Sequence, residues 1–194
     1  AIGKTLEEVT ENYKHIDFRA LAIDRRQNTF IPKHDDTFQE GDLVYVITKP
    51  HAIKELMQLS GKTRFNIHNV MIVGGGRIGK MTAKRLENDM NIKIIEIDKE
   101  KCLELTNTLS DTMILNADAR NVDLLEEEGI KDMDAFIAVT ENTETNILTC
   151  LQAKAFGVKK TIAMVENIDY IDISQNIGID TIINKKLIAA SYMV

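Results

Sequence analysis

The chain has no tryptophan, only 2 prolines and only 2 cysteines among its 194 residues. Cys102 and Cys150 form neither a disulfide framework nor a metal-ligand spacing. Buried free thiols in a reducing cytosol are the expectation for them. Long apolar runs are also missing, and none approaches the ~20 residues that span a bilayer. The first residues carry no basic, apolar, small-residue leader. The chain begins with Ala1 rather than Met, as expected of a piece of a longer protein. An excess of basic charge is absent. Residues 1–64 hold 10 Lys+Arg against 10 Asp+Glu, while residues 65–194 hold 14 against 20, which accounts for the net −6. The second part is therefore acidic. It has no basic stripe and no interleaved aromatics, which argues against general nucleic-acid binding.

A 44% hydrophobic content is ample for a buried core in one domain or two. The most informative segment is Val70-Met71-Ile72-Val73-Gly74-Gly75-Gly76-Arg77-Ile78-Gly79. An apolar strand runs into a G-x-G-x-x-G turn and then into a helix pattern. A second apolar strand follows and ends in Glu96 and Asp98. This is the arrangement that binds a dinucleotide. Gly74 permits the tight turn, Gly76 gives a pyrophosphate room, and Gly79 lets the helix pack on the strand. The helix N-terminus offers N–H groups and partial positive charge to the phosphates. Glu96, 20 residues after Gly76, is placed to accept ribose hydroxyl hydrogen bonds, and its charge disfavours a 2′-phosphate. Asp98 is the alternative ribose acid if the strand ends later.

Residues 1–60 predict a small α+β domain. Thr5-Leu6-Glu7-Glu8 is a capping box that starts a short helix. Strands are expected over 18–23, 29–31 and 43–47, with turn chemistry around Pro32–Thr37 and Glu40–Asp42. Pro50 opens a helix, and the polar run 60–64 is the expected linker. Residues 65–194 alternate apolar strands with helices, the strands at 70–73, 93–97, 112–115, 135–139, 161–165 and 181–183. Helices are expected over 78–88, 100–109, 122–128, 145–156 and 170–176. That order predicts an α/β fold, a doubly wound parallel Rossmann sheet. The last residues, including Leu187, Ile188, Ala189, Ala190, Tyr192 and Met193, are apolar enough to continue as a helix.

Ligands of such sheets bind at the carboxyl ends of the strands. The candidate nucleotide contacts are Gly74, Gly76, Arg77, Ile78, Gly79, Glu96, Asp98, Asp118 and Thr140. Arg77 could fork onto phosphate oxygens or stand as a solvated helix-start arginine. Asp118 and Arg120 sit where an adenosine half would be contacted, or cap the next helix. Catalytic and metal-ligating groups are lacking. His68 precedes the first Rossmann strand, at the wrong end of the sheet for chemistry. His15, His34 and His51 have no metal-like spacing, and no nucleophile–base pair can be placed near a nucleotide.

The second part resembles the TrkA-N, or RCK, domain family. The matching residues are Gly74–Gly79, Ile95-Glu96, Ala117-Asp118-Ala119, Ala138-Val139-Thr140, Glu144–Ile147 and Ala155–Lys160. The first sixty residues resemble the TrkA-C domain through Gly3–Leu6, Ile31-Pro32, Asp36-Thr37 and Gly41-Asp42. The family also has four-domain members in the order N, C, N, C, and this chain looks like the middle of one. Asn116, Met164 and Asn184 depart from the family, which often has Gly, Arg and Pro there.

The resemblance implies a cytoplasmic regulatory subunit of a potassium uptake system. It implies binding of NAD+ or NADH, and it permits ATP or ADP. It further implies a homo-oligomer acting on a membrane-embedded Trk-type transporter subunit at the inner face of the membrane, without enzymatic activity. The alternative reading is a fragment of an NAD-dependent oxidoreductase, which the glycine motif by itself does not exclude.

Overall fold

Apolar spacing and turn residues divide the chain into two compact units, residues 1–65 and 66–194. The computed structural model describes residues 1–26, 28–59 and 66–191. The linker expected over 60–64, and residues 192–194 of the apolar C-terminal run, lie outside the described residues.

In the first unit the capping box forms as written. The Thr5 hydroxyl accepts from the Glu8 N–H at 3.1 Å, and Glu8 Oε2 accepts from the Thr5 N–H at 2.8 Å. Helix α1 (Leu6–Asn12) starts there. Strands β1 (Phe18–Arg25), β2 (Asn28–Phe30) and β3 (Leu43–Thr48) form an antiparallel sheet in the order β2-β1-β3. Pro50 opens a 3-10 turn, Pro50–Ala52, before α2 (Ile53–Leu59). Proline has no N–H to lose at that position. Val9, Ile23 and Phe38 make the small core. Asp42 anchors the turn before β3, accepting Arg25 Nη2 at 2.7 Å and the Gln39 N–H at 2.8 Å.

The second unit is the expected doubly wound sheet. Its strands are β4 (Asn69–Val73), β5 (Asn91–Glu96), β6 (Thr112–Asn116), β7 (Ala135–Ala138), β8 (Lys160–Met164) and β9 (Thr181–Ile183). They run parallel in the order β6-β5-β4-β7-β8-β9. The connecting helices are α3 (Arg77–Leu86), α4 (Lys99–Thr108), α5 (Val122–Glu127), α6 (Thr143–Ala155) and α7 (Asp169–Asn176). Helix α8 (Lys185–Ser191) follows β9. A 3-10 turn at Ile130–Asp132 was not expected.

Side chains alternate across a strand, so each strand feeds two cores. Val70 and Ile72 join Ala83 of α3 and Leu105 of α4 on one face. Met71 and Val73 join Leu125 of α5 and Ala153 of α6 on the other. Burying the inner strands on both faces explains why they read as continuous apolar runs. Cys102 and Cys150 are free and buried.

Three interactions fasten the sheet. Asp134 accepts the N–H groups of His68 and Asn69 at 3.0 and 3.2 Å, and Lys159 at 3.1 Å. These donors, the His68 N–H foremost, bring its carboxyl down to about 2. Glu87 accepts from the Ser110 and Asp111 N–H groups and the Thr112 hydroxyl, which tethers the end of α3 to the start of β6. Asn184 donates to the carbonyls of Val165 and Glu166 and accepts from the N–H groups of Lys186 and Leu187. It thereby caps α8.

Candidate functional site

The strand order reverses between β4 and β7, and a cleft opens at the carboxyl ends of the strands beside that point. Its volume is about 280 Å³. Gly74 leaves β4 with φ +102°, a region that only glycine enters freely. A Cβ on Gly74 would lie 3.0 Å from the Thr140 nitrogen, so the absent side chain also lets the turn pass against the end of β7. A Cβ on Gly79 would collide with the Gly74 carbonyl oxygen, so Gly79 is what lets α3 press onto the turn. A Cβ on Gly76 would meet nothing within 4 Å. Gly76 lines the cleft and is the N-cap of α3, with no side chain capping that end. The first N–H groups of α3 are thus left for a ligand.

Glu96, the last residue of β5, is only 7% exposed and borders the cleft. Its Oε2 accepts the Gly75 N–H at 2.6 Å and its Oε1 accepts the Asp98 N–H at 2.9 Å. Each oxygen keeps capacity for one more donor. Asp98 is placed differently from the alternative role offered for it. It lies outside the cleft lining as the N-cap of α4, where Oδ1 accepts the N–H groups of Glu100 and Lys101 at 2.9 and 3.2 Å. The strand ends at Glu96, and of Glu96 and Asp98 only Glu96 borders the cleft.

Asp118 lines the cleft in a two-point ion pair with Arg120, whose Nη2 reaches Oδ2 at 2.6 Å and whose Nε reaches Oδ1 at 3.0 Å. That hydrogen bonding holds the Asp118 carboxyl below its ordinary range. Asn121, not Asp118, caps α5. Asn116 donates to the carbonyls of Glu96 and Ile97 at 3.1 and 3.0 Å, fixing the loop that carries the acid. Thr140 lines the opposite wall. Arg77 and Ile78 open α3 outside the cleft lining, and the Arg77 side chain is exposed.

Some participants were not picked out from the sequence. Asn146 is fully buried, and its Oδ1 accepts the Thr140 N–H at 2.9 Å and the Thr140 hydroxyl at 2.7 Å. Its amide donates to the carbonyls of Thr140 and Met164 at 3.0 and 2.8 Å. It clamps the loop that carries Thr140. The sequence showed it only as part of a motif match, because the hydrogen bond to Met164 joins distant segments. Lys101, on the first turn of α4, also borders the cleft. The signal was available: helical side chains lean toward the N-terminus, here toward the strand end. Met164 is buried at the end of β8 and packs in the core. Among the described residues no cluster of His, Cys, Asp or Glu could hold a metal. Among them, too, no helix is long and apolar enough to cross a membrane.

Residues 70–185 match the TrkA-N domain family and residues 1–61 the TrkA-C domain family. The chain is 37% identical over 167 residues to the Trk system potassium uptake protein TrkA homolog 2 of Methanosarcina mazei, covering 85% of this chain and 37% of that protein. It is 34% identical over 183 residues to the Trk system potassium uptake protein TrkA of Halomonas elongata, covering 94% and 40%. It thus spans about two fifths of the length of these relatives. A structure of the GsuK channel bound to NAD superposes with a TM-score of 0.63 at 19% identity, covering 99% of this chain and 34% of that one. At that identity the likeness speaks for the fold. With the match to its domain family running from β4 to the start of α8, the chain belongs to the TrkA-N family, and a TrkA-C domain precedes its Rossmann unit.

Proposed function

We propose that this chain is part of the cytoplasmic regulatory subunit of a potassium uptake system. It binds an adenine nucleotide and passes the bound state to a membrane-embedded Trk-type transporter subunit. One observation carries the nucleotide reading: the uncapped N-terminus of α3 and the buried carboxylate of Glu96 border one cleft at the switch point. Phosphates are held by the helix end and ribose by the acid. Gly74 and Gly79 shape the turn, Gly76 leaves it open, and Asp118 and Thr140 flank the adenosine and phosphate halves. Arg77 opens α3 beside the cleft and offers its guanidinium to the phosphates from outside the lining.

NAD+ or NADH is the first ligand on this reading, and ATP or ADP the second. The Trk names of the relatives and the NAD-bound GsuK structure support it. Control of a partner requires that the ligand bind two conformations with different affinity. The exposed Leu187 and Ile188 of α8 support self-association, through which such a change would be transmitted. Light scattering at tens of micromolar should therefore find at least a dimer.

A thermal-shift panel of NAD+, NADH, ATP and ADP tests the reading. A ligand at ~100 times its dissociation constant adds ~2.7 kcal/mol to stability. A flat response to all four overturns it.

A further inference from the structure

Two asparagines of the Rossmann unit are buried with all their hydrogen-bonding capacity in use. Asn146 of α6 is fully buried, and Asn184, just before α8, is 4% exposed. A side-chain amide offers two donors and an oxygen with two lone pairs. Asn146 spends them on the Thr140 and Met164 carbonyls and on the Thr140 N–H and hydroxyl. Asn184 spends them on the Val165 and Glu166 carbonyls and on the Lys186 and Leu187 N–H groups. Both therefore grip residues 164–166, where β8 ends. The N–H groups of that segment are committed as well. The Val165 N–H donates to the Ile183 carbonyl at 2.9 Å, and the Glu166 N–H to the hydroxyl of Thr143, the first residue of α6, at 3.2 Å. The segment is thus bonded on one side to the loop that carries Thr140, and on the other to the junction of β9 and α8.

We propose that Asn146 and Asn184 are positioning residues that couple occupancy of the cleft to the pose of α8. This rests on the nucleotide reading above. Thr140 lines the cleft, so a ligand that favours one pose of its loop biases the bonds through Asn146 to the end of β8. From there Asn184 carries the bias to the first N–H groups of α8. A fully paired polar network in a low-dielectric interior has few other arrangements, so a small shift is passed on rather than absorbed. Helix α8 presents the exposed Leu187 and Ile188, and its pose sets how that apolar surface is offered. Such coupling is reciprocal, so loosening α8 weakens the ligand.

Asn184→Ala tests this, because Asn184 lies outside the cleft lining. In a purely structural role the variant melts lower and binds as before. If Asn184 is coupled to the cleft, the variant also binds NAD+ about fivefold more weakly, at the low end of typical coupling. Isothermal titration on the 194-residue chain reads it. Asp134→Asn is the control, a stability loss at the amino ends of the strands that should keep wild-type affinity. Hydrogen exchange on the unaltered chain is the second measurement, and it decides alone if Asn184→Ala fails to fold. Saturating NAD+ should slow exchange of the Lys186 and Leu187 amides about fivefold. ADP replaces NAD+ as the probe if NAD+ gives no thermal shift. Wild-type affinity in a folded Asn184→Ala, or unchanged exchange of the two amides, overturns the proposal and leaves the nucleotide reading standing. An equal loss of affinity in Asp134→Asn does the same. A chain that binds none of NAD+, NADH, ATP and ADP overturns both.

Discussion

The Gly75 N–H donates to Glu96 Oε2 at 2.6 Å, tying the glycine turn after β4 to the acid that ends β5. The group expected to hold ribose thus also holds the loop expected to hold phosphate. The two halves of the site are one hydrogen-bonded object before any ligand arrives. Substitutions at Glu96 should therefore disturb stability as well as affinity.

Glu96→Ala should weaken NAD(H) or ATP binding by about 1.5–3 kcal/mol, roughly ten- to a hundredfold. It should also lower the melting temperature, because the buried Gly75 N–H loses its acceptor. Asp98→Ala should show the opposite balance. It removes the cap of α4, a loss of about 1 kcal/mol in stability, and should leave affinity nearly unchanged. Calorimetric titration and thermal melting of both variants separate the two roles. Equal affinity losses would move Asp98 into the site.

Two neighbouring glycines should respond differently to a side chain. A Cβ on Gly75 would run into Leu105 and come within 3.2 Å of Glu96 Oε2, so Gly75→Ala should destabilise the fold. A Cβ on Gly76 meets open space, so Gly76→Val should fold like the wild type and lose nucleotide binding. Melting curves with and without NAD+ read both effects. A stable Gly76→Val that still binds would remove the phosphate from that position.

Asn146→Ala deletes four hydrogen bonds, those of the part-buried Thr140 backbone and hydroxyl and that of the buried Met164 carbonyl. Each buried orphan costs about 1–3 kcal/mol. The urea midpoint should fall by an amount equivalent to at least about 2 kcal/mol. A variant of unchanged midpoint would mean that the Thr140 loop is held by other contacts.

Asp134 has its carboxyl lowered to about 2 by the N–H groups of His68 and Asn69 and by Lys159. In the unfolded chain an aspartate titrates near 3.9. Its contribution is therefore fully present above about pH 4 and is lost as pH falls toward 2. Asp134→Asn should lose about 1–2 kcal/mol at neutral pH, with the deficit shrinking between pH 4 and 2. Urea titrations at pH 7 and pH 3 measure it.

Incubation with NADH and a panel of carbonyl substrates should give no turnover above background. Among the described residues the cleft lining contains no histidine, cysteine or tyrosine to act as a proton donor. Saturable, protein-dependent oxidation of NADH would favour the oxidoreductase reading instead.

The sequence by itself determined the elements and their order. Val70–Val73 could only be a buried strand, the spacing of Gly74, Gly76 and Gly79 dictated a tight strand-to-helix turn, and Thr5 with Glu8 wrote the start of α1. These signals are local. Periodicity and capping act over a few residues and survive without knowledge of the rest of the chain. Tertiary structure decided what depends on contacts between distant segments. It set Glu96, and not Asp98, on the cleft, because pairing with β4 ends at Ile95 and the chain then turns to let Asp98 cap α4. It gave Asn146 its role through a hydrogen bond to Met164, eighteen residues away. It set Lys101 beside the cleft while pairing Arg120 with Asp118. Charge counts alone do not show that Arg120 is held by Asp118, because that pairing lies in distances between side chains brought together by the fold.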